Sequence, residues 1–165
     1  MKNIDIKNIK DLLIDLVPLV RPYQMEQYVT IFRQEHVWQT NWKHLTENFM
    51  EGYHLPVAHK ATVGAWFALD ETVFPKKTHD SFTYQTFTKT EDAIYGQAHP
   101  DNTTLTGEWR NTSVLPTVFP SHMYVLAPDH LWYLSLRPKG VGEVDIRFGV
   151  AIAPEVDAML SFADE

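Results

Sequence analysis

The stretch Asn41-Trp42-Lys43-His44-Leu45-Thr46-Glu47-Asn48-Phe49-Met50-Glu51-Gly52-Tyr53-His54-Leu55-Pro56-Val57-Ala58-His59 decides how the rest of the chain is read. Up to about Tyr53 its pattern is helical. Trp42, Leu45 and Phe49 fall at i, i+3 and i+7 and form an apolar stripe, while Glu47, Asn48 and Glu51 occupy other faces. Pro56 cannot donate a backbone hydrogen bond and stops the helix there, so the chain turns through 55–65. A helix with one apolar stripe needs a surface to lie on, and the flanking sequence offers one.

Before it, residues 27–40 are rich in β-branched and aromatic types and read as a strand. Earlier still, Ile6, Ile9, Leu13 and Leu16 give residues 4–17 a helical stripe, which Pro18 and Pro22 break. After it, strands dominate. Residues 78–90 carry Phe82, Tyr84 and Phe87 among threonines, and 105–118 is weakly patterned. Residues 121–127 and 130–137 flank the turn signal Pro128-Asp129. Residues 143–153 alternate, with Val144, Ile146, Phe148, Val150 and Ile152 on one face and Asp145 and Arg147 on the other, the mark of a half-buried antiparallel strand. A last helix starts at Pro154-Glu155. The reading is α+β: a curved antiparallel sheet with a long helix across its concave face, in a single domain of 165 residues.

Composition narrows the function classes. The net charge is −7 with no basic stripe, which argues against a nucleic-acid partner. The chain has no Cys, which excludes a disulfide scaffold, a Cys-ligated zinc site, a thiol nucleophile and an iron–sulfur cluster held by this chain itself. No segment reaches the ~18–20 apolar residues that span a bilayer, and no secretory signal is present, so the expected address is the cytoplasm. Eight His turn attention to metal chemistry.

His54 and His59 are the pair that matters. On one uniform helix, five residues rotate by about 500° and place them on poorly matched faces, but the break at Pro56 lets the second imidazole swing back toward the first. Two neutral imidazoles and one carboxylate make a facial set that leaves coordination positions open on a non-haem Fe(II). Glu51, three residues before His54, is placed to accept the far N–H of a metal-bound imidazole. Spacing alone keeps the plainer reading open, because a His-x4-His pair arises by chance roughly 0.4 times in a chain with this His content.

The wider pattern is more specific. Asn41-Trp42-Lys43, then Glu47-Asn48-Phe49, then Glu51-x-Tyr53-His54-x4-His59 resembles the mononuclear-iron motif of the Rieske-type non-haem iron oxygenases, the ring-hydroxylating oxygenase alpha subunits. Residues 10–40 resemble the segment leading from the Rieske domain into the catalytic domain. Phe119-Pro120 and Leu136-Arg137-Pro138 look like the late sheet of that domain. The resemblance implies a helix-grip (START-like) fold, with Fe(II) held by His54 and His59. It implies O2-dependent hydroxylation of a small organic substrate, aromatic or quaternary ammonium, as a mono- or dioxygenase. It also implies electrons from a 2Fe-2S cluster on an external Rieske domain, across an acidic residue at the Glu51 position. Partners would be the Rieske domain of a neighbouring subunit in a homotrimer, and a reductase or ferredoxin.

Two departures from the family pattern shape further expectations. The Rieske domain with its Cys and His ligands is missing, so 1–165 is expected to be a truncated mononuclear-iron domain, inactive alone, with 1–25 as the lead-in. The family's third iron ligand is an Asp on the C-terminal helix. It is expected past residue 165, with Asp157 and Asp164 as fallbacks.

Other residues carry weaker readings. Asn48 could position water or the iron, or be plain helix-surface polarity. His44 reads as solvated surface, and His79, His99, His122 and His130 as structural. Trp66, Phe67, Trp109 and Trp132 could line a pocket but in strands are more often core; Thr62, Val63 and Gly64 could shape its entrance. The rival functions are a metal-free small-ligand or lipid-binding helix-grip protein, which has no reason to gather Glu51, His54 and His59, and a zinc hydrolase, disfavoured because no H-E-x-x-H occurs.

Overall fold

The structure, a computed structural model, describes residues 10–61, 72–77, 79–90 and 93–163. Among these, seven strands form one antiparallel sheet in the order β1-β7-β6-β5-β4-β3-β2. They are β1 (Val29–Trp38), β2 (Thr72–Val73), β3 (Phe82–Thr88), β4 (Thr112–Val118), β5 (His122–Leu126), β6 (His130–Pro138) and β7 (Val144–Ile152). The helices are α1 (Val17–Val20), α2 (Trp42–Met50), α3 (Leu55–Ala58) and α4 (Pro154–Ala163). This is the helix-grip arrangement: a sheet of near neighbours in sequence, closed at one edge by the early strand β1 pairing with the late strand β7, from Val29↔Ile152 to Trp38↔Val144.

Strand alternation gives the sheet two different faces. On one, Met123, Leu136, Val144 and Ile146 are buried against Trp42, Leu45 and Phe49, the predicted stripe of α2. Phe87, Leu115 and Val125 continue this face and meet Phe49, Leu55 and Trp132. On the opposite face, Val114 and Leu126 cluster with Tyr23 and Leu105. Tyr23 is buried and its hydroxyl donates to the Thr112 carbonyl at 2.6 Å, while Tyr28 donates to the Ala127 carbonyl at 3.0 Å. These two phenols tie the N-terminal segment to the back of the sheet.

Several boundaries differ from those read in the sequence. The central helix does not run to Pro56; α2 stops at Met50, after nine residues, and Glu51 is already extended (φ −113°, ψ 152°). Pro56 instead sits in the first turn of α3, where its missing N–H has no helical partner to lose. Pro18 behaves the same way, starting α1 rather than ending a longer helix; of the expected helix over 4–17, residues 4–9 lie outside the described residues. The two-residue strand β2 was too short to show as a pattern.

Gly149 lies directly across from Tyr133. A methyl group at Gly149 would lie 2.5 Å from Tyr133 Cε1 and 2.6 Å from Cζ, so the ring occupies the space a side chain would need. Gly149→Ala should destabilise the fold by roughly 1–3 kcal/mol through overpacking, measured by urea denaturation, and Tyr133→Leu in the same chain should recover most of the loss.

Candidate metal centre

The centre is assembled at the junction of α2 and α3. Asn41 caps the start of α2, its Oδ1 accepting from the Lys43 N–H at 2.9 Å. At the other end, Glu51 takes over the last turn. Its Oε2 accepts the N–H groups of Tyr53 (2.6 Å) and His54 (3.2 Å), which in a continuing helix would go to the carbonyls of Phe49 and Met50. Its Oε1 accepts from Asn48 Nδ2 (3.3 Å) and faces His54 Nδ1 at 2.5 Å. One carboxylate thus gathers four donors, ends the helix and orients an imidazole.

A carboxylate on Nδ1 keeps the proton there and leaves Nε2 with its lone pair, the tautomer a metal ligand needs. The His59 ring stands 5.2 Å from the His54 ring, centroid to centroid, at 70°. An imidazole–metal bond of ~2.0–2.1 Å puts each centroid roughly 3 Å from a shared ion, so rings at this separation are within reach of one cation. His59 is exposed, and the side chains of His54 and Glu51 keep 21% and 32% of their surface accessible, so the pair is open to an incoming ion. Two borderline nitrogen donors, one held in the right tautomer, fit a first-row divalent metal. Among the described residues no group of three His, Asp or Glu side chains could hold a metal ion. Asp157 therefore does not join the pair from the first turn of α4, and Asp164 lies outside the described residues.

The profile of the ring hydroxylating alpha subunit family (catalytic domain) matches residues 25–165. The chain belongs to that family. Solved structures of similar fold include the quaternary ammonium Rieske monooxygenase CntA in complex with an inhibitor, at 15% identity and a TM-score of 0.69 over 92% of this chain and 38% of that one. Naphthalene 1,2-dioxygenase from Rhodococcus sp. bound to indole has 15% identity and a TM-score of 0.67 over 91% of this chain and 42% of that one. The chain thus spans about 40% of the length of these proteins. No curated protein matches it significantly.

In this member of the family the other candidate residues fall elsewhere. His44 is exposed on α2. His79 stacks on Phe82 at 4.2 Å, His99 Nδ1 accepts the Asp101 N–H, and His122 lies beside Tyr124. His130 Nδ1 meets Asp129 Oδ1 at 2.7 Å; burial works to raise the Asp129 carboxyl, but His130 and the Gly96 N–H outweigh it and hold it below the usual carboxylate range. Trp132 packs edge-on against Phe49 beneath α2, whereas Trp109 belongs to the opposite face. Thr62, Val63, Gly64, Trp66 and Phe67 lie outside the described residues. Sequence reasoning missed Gln85, whose buried amide donates to the Phe49 carbonyl at 3.1 Å. A polar residue among strand threonines reads as solvent-facing, and its only signal was sharing alternation with Phe87.

Glu51→Ala should remove the cap as well as the imidazole partner. The expected cost is ~1 kcal/mol of stability, by analogy with other side-chain caps, and loss of the Nδ1–H preference of His54 in its ring 15N shifts.

Proposed function

We propose that this domain binds a mononuclear non-haem Fe(II) through His54 and His59, and that it hydroxylates a small aromatic or quaternary ammonium substrate using O2. The observation that carries the reading is the convergence of the two imidazoles with Glu51 on Nδ1 of His54. Family membership supplies the reaction class. When bound, the iron would supply O2 activation, with electrons delivered from an external 2Fe-2S cluster.

The chain's own residues do the rest. His54 and His59 present neutral nitrogen donors, and a carboxylate outside the described cluster completes the set. Glu51 holds the His54 ring, and its partly exposed carboxylate would reach a cluster ligand on a neighbouring subunit's Rieske domain. Asn48 fixes Glu51 Oε1 from one turn back. With no Cys of its own, the chain depends on that external domain for the cluster's thiolates. We further propose a homotrimer fed by a reductase or ferredoxin, in the cytoplasm; among the described residues no helix is long and apolar enough to cross a membrane.

A second reading has one observation in its favour. An apolar cavity of about 270 Å3 on the sheet face opposite α2, lined by Leu16, Val20, Pro116 and Leu126 among others, would suit a metal-free small-ligand or lipid carrier.

Anaerobic Fe(II) titration separates the two. His54→Ala and His59→Ala should lose iron while His44→Ala keeps it; iron affinity unchanged in His54→Ala would overturn the oxygenase reading. In the enzyme supplied with its cluster donor and reductase, Glu51→Gln should retain iron while product formation collapses. Product formed at the parent rate would remove the bridging role from Glu51.

A further inference from the structure

We propose that Gln85 is a positioning residue of the histidine site: its buried amide holds the open end of α2 and so aims Glu51, His54 and His59. The inference rests on reading those residues as a metal centre.

The need for such a group follows from how α2 ends. The Phe49 carbonyl has lost its helical partner, because the Tyr53 N–H is turned to the Glu51 carboxylate. A bare carbonyl at a buried helix end requires a donor from elsewhere. Gln85 Nε2 provides it at 3.1 Å from the middle of β3, whose residues are paired one for one with β4 from Phe82↔Val118 to Thr88↔Thr112. The contact therefore ties the helix end to the sheet itself. Around it, Phe87 and Leu115 pack with Phe49 of α2 and Leu55 of α3, the residues that bracket Glu51 and His54.

The other half of the amide makes the case sharper. Gln85 is 2% exposed, and its Oε1 is buried with no hydrogen-bond partner among the described residues. A buried acceptor left unpaired carries its full desolvation penalty. Methionine would fill much the same space without that oxygen, so for packing alone an apolar residue is the better occupant. What the amide adds is the bond to Phe49. Thr117, whose Oγ1 is also buried with no partner among the described residues, sits diagonally across on the same face and makes no hydrogen bond to α2, which makes it a matched control.

The test compares Gln85→Met and Thr117→Val with the parent, using Zn(II) as the probe and taking as signal the binding that His54→Ala removes. Amide hydrogen exchange at Tyr53, His54 and Leu55 is the second readout. Gln85→Met should bind Zn(II) roughly 10- to 100-fold more weakly and exchange faster at those amides, with global stability close to the parent's. Thr117→Val should change neither. If Gln85→Met fails to fold, Gln85→Asn, which retracts the donor by one methylene, replaces it. Parental Zn(II) affinity together with parental exchange in the Gln85 variant would overturn the proposal, as would equal losses in Thr117→Val. If the parent bound no Zn(II) through His54, the metal reading would fall. The exchange data would then decide the positioning role alone, faster exchange upholding it and unchanged exchange overturning it.

Discussion

The pairing of β1 with β7 is the constraint on which the rest depends. It places the first strand at one edge of the sheet, while β2 and β3 lie at the other. The chain between Trp38 and Thr72 must therefore cross six strand spacings, about 29 Å. A nine-residue helix covers only ~13.5 Å of that. The crossing has to pass over a face of the sheet, so its helix must present an apolar side, and Trp42, Leu45 and Phe49 do so. The residues that follow are then delivered over the middle of the sheet rather than at its rim.

That delivery explains why Glu51, His54 and His59 gather where they do. A helix ending over a sheet leaves carbonyls and amides without partners in a half-buried place, and something must satisfy them. Glu51 takes the amides of Tyr53 and His54, and Gln85 serves the Phe49 carbonyl. The same carboxylate that ends the helix also holds the ring of His54. Local folding and imidazole orientation are one set of bonds here, so substitutions at Glu51 act on both.

The two faces of the sheet divide the labour. The face under α2 carries Trp132, Phe49 and the histidine site, and the opposite face is closed by the N-terminal segment through Tyr23 and Tyr28. Burial pushes both phenols far above their ordinary range, so they stay protonated donors and their bonds to backbone carbonyls are insensitive to ordinary changes of pH.

The sequence by itself determined the elements whose signal is periodic. The i, i+3, i+7 stripe of α2 and the alternation of β7 each report a one-sided burial, and that pattern repeats residue by residue along the chain. It also singled out Glu51, His54 and His59 as candidates, through the motif resemblance of one short segment from Asn41 to His59 rather than through their spacing alone. Only the tertiary structure decided where α2 ends, since the carboxylate that stops it competes with backbone carbonyls through contacts that propensity does not encode. Only the tertiary structure placed Gln85 beneath Phe49, because the two are 36 residues apart and meet through the crossing that the β1–β7 pairing imposes. The separation of His54 and His59 was likewise settled by the turn between them, as a spacing in sequence fixes how far two rings can be apart but not how close they come.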